Sequence, residues 1–506
     1  MSSLRHIPLG HAIPDCPHAI SVSLPTMADL IGYEERNAEV LRQVPSGYPR
    51  FVLHPFVRAL TAEFARRLRL EGQAVWLVGS LSLAEQLRVW VGAEVARVVT
   101  DGEQAAVAFP PSPEHNARAK AFLQHCGGFV SSRQAEDSLV AAGLLPVPPA
   151  EDNGIGDAAG QVRSALHEAY PGAGDQDLFV AANGMNAIHS VFCVSNGIQR
   201  PRGRTTWIQL GWLYLDTIAI LQKFSADPQR DHVVLPDVND LGALRRVLEE
   251  RRGQVAGIVT EVPTNPLIQS CDVPALAMLA REHGVHLILD ASIASPWNVD
   301  ALPYCDVAVA SLSKYAASGG DLLAGSAAVN PSAPDAAAFR AGLAERIAPP
   351  YRRDLARLAC EIQDVGRVLE RINESTPQVA DFLGRRPEVS CVHWALAPAA
   401  RTNFLKVARH PGAVGSMLSI ELKGIPLARV YDRLRLPKGP SFGLKNSLCC
   451  PFMYLAHYDL VTSEAGLAQL AQHSLNPELL RLSVGMEPVG EILDALGEAL
   501  DGLAGG

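Results

Sequence analysis

Lys314 closes the run Ser311-Leu312-Ser313-Lys314 and lies downstream of Asp290, which ends the apolar run Leu287-Ile288-Leu289. An apolar run ending in a carboxylate reads as a buried strand that delivers Asp290 to a cleft at its C-terminal end. Val307-Ala308-Val309-Ala310 is a second such run, and it delivers two hydroxyls and an amine. An amine forms Schiff bases with carbonyl groups, hydroxyls bind phosphate, and a carboxylate pairs with a protonated pyridine nitrogen. These are the groups that a pyridoxal phosphate enzyme requires.

Other segments carry related chemistry. Asn183-Gly184-Met185 follows the strand-like Leu178-Phe179-Val180 and opens a helix-like run. Backbone N–H groups at such a helix start favour a phosphate, and Gly184 permits close approach. Asn265, in Pro263-Thr264-Asn265-Pro266, reads as a turn residue. Arg481 stands alone among leucines in Leu479-Leu480-Arg481-Leu482.

In order and spacing, Glu261-Val262-Pro263-Thr264-Asn265-Pro266, Asp290 and Ser311 to Lys314 resemble the cofactor-binding run of the cystathionine γ-synthase family, the Cys/Met-metabolism pyridoxal phosphate enzymes. Leu480 to Glu487 resembles that family's Leu-Arg-Xaa-Ser-Xaa-Gly-Xaa-Glu motif. Gly47-Tyr48-Pro49-Arg50 resembles the Tyr-Xaa-Arg motif by which one subunit reaches its neighbour's phosphate. Pro17 to Pro25, Gly127 to Glu136 and Tyr454 to Tyr458 are similar to the long, fungal-type cystathionine γ-synthases, so the likeness runs over nearly the whole chain.

The resemblance implies roles residue by residue. Lys314 would hold pyridoxal 5'-phosphate, Asp290 would pair with its ring nitrogen, and Tyr214 would stack on the ring and serve as acid or base. Ser311, Ser313, Gly184 and Met185, with a neighbour's Tyr48 and Arg50, would hold the phosphate. Asn265 would contact the phenolic oxygen, and Arg481 the substrate α-carboxylate. Ser447 and Asn446 would line the substrate site, although Asn446 replaces the family's Glu. Ala219 stands where the family has an Arg for the distal carboxylate of a succinylated substrate, and no neutral side chain replaces a bidentate guanidinium. The expectation is therefore an acetyl ester in preference to a succinyl ester, with Lys223, one helical turn on, as a partial substitute.

The implied reaction is γ-substitution joining an O-acylhomoserine to cysteine to give cystathionine, in transsulfuration and methionine metabolism. The alternatives are a γ- or β-lyase of the same family, or γ-substitution with another nucleophile in specialised metabolism.

The bulk numbers agree with a large enzyme. At 506 residues, 48% hydrophobic and 19% charged, the chain exceeds one ordinary domain. A net charge of -9 argues against nucleic acid as a partner. Nine cysteines without a CxxC pair suggest neither a disulfide framework nor a metal site, and hence a reducing compartment. No long apolar segment suggests a membrane span, so a cytoplasmic location is expected.

The expected fold class is α/β, the fold type I of pyridoxal phosphate enzymes. Residues 1–50 read as an arm and 51–150 as an α/β insertion and linker. Residues 151–335 read as a large cofactor-binding domain with a mostly parallel sheet, 336–376 as bridging helices, and 377–506 as a smaller α+β domain. The motif around Tyr48 implies a homodimer or homotetramer with shared active sites.

Overall fold

The computed structural model describes residues 4–49, 51–154 and 156–503; Arg50, expected at a phosphate, lies outside the described residues. The arm forms a small antiparallel pair, β1 (Ala12–Ile13) with β2 (Ser21–Val22), and then the helix Met27–Glu34. Thr26 and Asp29 start that helix as a reciprocal capping box. The arm then folds back on its own chain. Met27 N donates to Asp432 at 2.8 Å, and the Tyr431 hydroxyl donates to Leu24 O at 2.6 Å.

In the insertion, β3 (Ala74–Val78), β4 (Arg97–Asp101) and β5 (Gln104–Phe109) form an antiparallel sheet in the order β3-β5-β4. Strand side chains alternate between faces, and β5 serves both. Ala105, Val107 and Phe109 pack with helices Leu81–Val91 and Pro113–Cys126. Ala106 and Ala108 pack with helices Pro55–Arg67 and Ser132–Ala141 on the other side.

The large domain contributes β6 (Leu178–Ala181), β7 (Thr206–Leu210), β8 (His232–Leu235), β9 (Val255–Glu261), β10 (His286–Asp290), β11 (Val307–Ser311) and β12 (Gly325–Val329). Their order is β6-β12-β11-β10-β9-β7-β8, parallel from β11 to β8, with β12 antiparallel to both neighbours. Every residue of β9 is buried, as expected for a strand covered on both faces. Parallel strands share a direction, so the C-terminal ends of β9, β10 and β11 converge and present Glu261, Asp290 and Ser311 together.

Helices Ala336–Arg346 and Arg352–Glu361 are separated at Pro349-Pro350. The domain boundary expected at residue 377 requires correction, because Pro377 sits inside the helix Val365–Gly384. The reason is packing. Val368, Leu369 and Ile372 belong to the large-domain core, and Val379, Ala380 and Leu383 to the small-domain core. Burial at both ends offsets the roughly 3 kcal/mol cost of an interior proline. The small domain is an antiparallel sheet of β13 (Val389–Trp394), β14 (Met417–Leu422), β15 (Leu448–Pro451) and β16 (Leu480–Ser483), in the order β13-β14-β16-β15.

Arg133 ties these parts together. It is wholly buried and donates to Glu151 at 2.9 Å, to Asp321 at 2.8 Å (backbone) and 2.9 Å (carboxylate), and to Asp354 at 3.2 Å. Insertion, linker and large domain thus share one guanidinium. Among the described residues, no helix is long and apolar enough to cross a membrane.

Candidate active site

The strand ends open into a cavity of about 580 Å³ lined by Lys314, Tyr214, Asp290, Ser311, Gly184, Met185, Asn265, Arg481 and Tyr48. Lys314 follows β11 and is buried. Its Nζ donates to Ser441 Oγ at 3.1 Å and lies 4.8 Å from the Phe442 ring centroid and 5.2 Å from that of Tyr48. Arg481 enters from β16, donates to Asn265 Oδ1 at 3.3 Å and to Pro440 O, and stacks on Phe452 at 4.6 Å. The Phe442 ring lies 5.8 Å from the same guanidinium, and a guanidinium held by two aromatic rings keeps its planar fork aimed in one direction.

Two carboxyl groups meet at the floor. Asp290 accepts from Ser292 N at 2.8 Å, and Ser292 Oγ in turn accepts from Ser311 N at 2.7 Å. Burial raises the Asp290 carboxyl above its ordinary range. Glu261 accepts from Tyr214 N, and burial first, then the charge of Asp290, push it well above the carboxylate range. Its Oε2 is buried without a hydrogen-bond partner. Glu261 ends an apolar run in the same way as Asp290, so the strand-end signal marks it too, although the motif resemblance gives it no role.

Gly184 begins the helix Gly184–Gln199, capped by Asn183, whose side chain accepts from Asn186 N at 3.0 Å. A Cβ on Gly184 would lie 3.1 Å from Ser311 Cβ, so the helix start and the end of β11 form one tight cradle. The insertion braces it. Asn183 Nδ2 donates to Gly127 O at 2.9 Å, and Asn186 Nδ2 to Cys126 O at 3.2 Å.

Several expected residues stand elsewhere. The Ser313 hydroxyl accepts from Ala324 N at 2.9 Å and donates to Ala324 O at 3.1 Å, which pins the loop carrying Lys314. Ser447 is buried against Glu487, its hydroxyl donating to that carboxylate at 2.8 Å, and Asn446 is exposed; neither lines the cavity. Lys223 lies 2.8 Å from His125 Nε2 and is likewise absent from the cavity wall, so it does not stand in for an arginine at position 219. Tyr48, expected from a neighbouring subunit, lines the cavity of its own chain.

The donor set fits a phosphorylated pyridine aldehyde. Asp290 has no ion-pair partner among the described residues, the helix start at Gly184 offers N–H groups to an anion, and Lys314 offers an amine to the same cavity. A mixed seven-stranded sheet flanked by helices, with these groups at its strand ends, defines a fold type I pyridoxal phosphate enzyme. Residues 172–501 match the family model described as Cys/Met metabolism PLP-dependent enzyme, and the chain belongs to that family.

Relatives extend beyond that region. The chain is 40% identical, over 97% of its length and 97% of the relative's, to L-2-amino-4-chloropent-4-enoate dechlorinase/desaturase of Streptantibioticus cattleyicolor. It is 24% identical to the cystathionine γ-synthase of Neurospora crassa, over 97% of this chain and 98% of the relative. In fold it is similar to cystathionine γ-synthase from Xanthomonas oryzae pv. oryzae in complex with cystathionine, with a TM-score of 0.56 and 20% identity, covering 68% of this chain and 86% of the other.

Proposed function

We propose that this enzyme eliminates a leaving group from Cγ of an L-α-amino acid, and that a γ-chloroalkenyl amino acid is its substrate class. The observation that carries this is the 40% identity to a dechlorinase/desaturase over 97% of both chains. Loss of HCl from such a substrate breaks the Cγ–Cl bond, leaves the electron pair on chloride, removes one proton from carbon and adds one π bond. Atoms and electrons balance without an oxidant, so "dechlorinase" and "desaturase" describe a single step. Ala219 accords with this reading, because chloride departure leaves no distal carboxylate to bind.

Pyridoxal phosphate, when bound, supplies the electron sink that acidifies Cα and then Cβ. The chain supplies the rest. Arg481, fixed by Asn265, would clamp the α-carboxylate, and Lys314 would carry the proton away from Cα. Gly184, Met185 and Ser311 would hold the phosphate, Ser313 would position the lysine loop, and Asp290 would pair with the ring nitrogen. Tyr214, held through its N–H by Glu261, would face the ring, and the chain's own Tyr48 would close the site.

A second reading, addition of cysteine to an O-acylhomoserine, is favoured by the motif resemblance and by the Neurospora relative. The test is chloride release and mass spectrometry with holoenzyme and L-2-amino-4-chloropent-4-enoate, beside O-acetylhomoserine with and without cysteine. The expected result is one chloride per amino acid consumed and a product lighter by HCl, with no dependence on cysteine. Cystathionine from the acetyl ester, with no chloride from the chloro substrate, would overturn the proposal.

A further inference from the structure

The cavity has a wall that the matched family region does not supply. Tyr33, Glu34 and Arg36 of the arm, and Lys120 and Gln124 of the insertion helix Pro113–Cys126, line it, whereas the family model begins at residue 172. Lys120 and Gln124 are four apart on one helix and so share a face. Gln124 is fixed, its Nε2 donating to Asp216 at 2.7 Å, and His125 Nδ1 lies 3.1 Å from the same carboxylate. The helix is thereby docked onto Leu215–Phe224, the helix that Tyr214 starts.

Lys120 is half-buried, and among the described residues neither it nor Arg36 has a carboxylate within ion-pairing distance. Burial, and next the nearby Arg36, hold the Lys120 ammonium below its ordinary range. A partly desolvated cation without a counter-charge is costly unless an anion visits it. Neither Ala219 nor Lys223 offers a departing anion a cation of its own, since one is neutral and the other is turned to His125.

We propose that Lys120, with Arg36 beside it, forms the receiving site for the small anion that leaves Cγ. This rests on the elimination reading above. Two leaving groups share that chemistry, a halide and a carboxylate. A compact ammonium suits a spherical halide, whereas a carboxylate is matched by the planar guanidinium fork. Lys120, the half-buried member of the pair, therefore points to chloride, and the exposed Arg36 would follow it outward.

The test is chloride NMR line broadening on the holoenzyme, with acetate as competitor, for wild type, Lys120→Met, Lys120→Gln, Lys120→Arg and Arg36→Met. Site integrity is read separately from the shift in cofactor absorbance when an amino acid without a γ-leaving group binds. The expected result is saturable broadening in wild type, about tenfold weaker chloride binding in Lys120→Met and Lys120→Gln, the size of one charge-assisted hydrogen bond, and most binding retained in Lys120→Arg. Chloride product inhibition should weaken in parallel while amino-acid binding persists.

Equal chloride binding in wild type and both neutral variants, or no saturable binding in wild type, would overturn the anion site. Stronger displacement by acetate than by bromide would reassign it to a carboxylate leaving group and overturn the halide preference. Lys120-dependent chloride binding in an enzyme that releases no anion from any γ-substituted amino acid would sustain the site and sink the elimination reading instead.

Discussion

Glu261 and Asp290 are register partners at the carboxyl ends of β9 and β10, so two neighbouring strands place two carboxyl groups at one cavity floor, and among the described residues neither has an ion-pair partner. Burial first, then the charge of Asp290, raise the Glu261 carboxyl well above its ordinary range in the folded chain. The unfolded chain releases that proton above about pH 4.5. The folded state then binds more protons than the unfolded one, so this residue's contribution to stability falls as pH rises from that value. Glu261→Gln keeps the acceptor for Tyr214 N without the titration. Its urea unfolding free energy should lose less than wild type between about pH 5 and about pH 8; equal slopes would show that Glu261 does not hold a proton.

Arg133→Met should destabilise by about 3–5 kcal/mol, because three carboxylates, Glu151, Asp321 and Asp354, then lose a wholly buried partner. Denaturant unfolding measures this directly. A loss under about 1 kcal/mol would mean that water or Arg353, which also reaches Glu151 at 2.8 Å, takes over the charge.

Mixed subunits carrying Tyr48→Phe and Lys314→Ala should not complement each other, since Tyr48 and Lys314 occupy one cavity of one chain. A wild-type site arising in the mixture, read as turnover per cofactor, would restore the subunit-crossing arrangement.

Gly127→Ala should loosen the cradle of Gly184 and Ser311, the proposed phosphate site, without touching it. Gly127 has a φ of +66°, and a Cβ there would fall 2.0 Å from Asn183 Oδ1, the cap of the helix Gly184–Gln199. Left-handed backbone alone costs a non-glycine residue about 1–2 kcal/mol. Pyridoxal phosphate affinity, titrated by absorbance, should fall about tenfold, the effect of losing one cap. Unchanged affinity would show that the insertion does not brace the cradle.

Anion binding at the outer wall should weaken as pH rises through about 7. Burial pushes Glu34 up to about 7, so it gains its charge there, next to Arg36, while Lys120 is held below its usual range. Tyr33, pushed up to about 12, stays neutral throughout, and Asp216 is turned toward Gln124 and His125. Both shifts act in one direction. Glu34→Gln should flatten the chloride-affinity profile around neutrality, and a profile identical to wild type would remove Glu34 from the wall's electrostatics.

Much of the floor was legible in the sequence because strand ends, a glycine at a helix start and a lysine after an apolar run are local signals. Asp290, Ser311, Lys314, Gly184 and Arg481 line one cavity for that reason. What escaped depends on partners far along the chain. Ser313 and Ser447 looked like ligands until Ala324 and Glu487 took their hydroxyls, and Lys223 looked available until His125 met it from the insertion. Lys120 has the appearance of any lysine on an amphipathic helix, and only the docking of that helix places it at the cavity. Pro377 marked a break by local rules, and two cores overrode it.

That last helix has a thermodynamic consequence. Because Val365–Gly384 begins in one core and ends in the other, neither domain can melt without stripping apolar surface from the helix that completes its neighbour. Heating should therefore give one cooperative transition, with calorimetric and van't Hoff enthalpies in agreement. The strand-end residues below the cleft and Arg481 above it would then be lost in the same event.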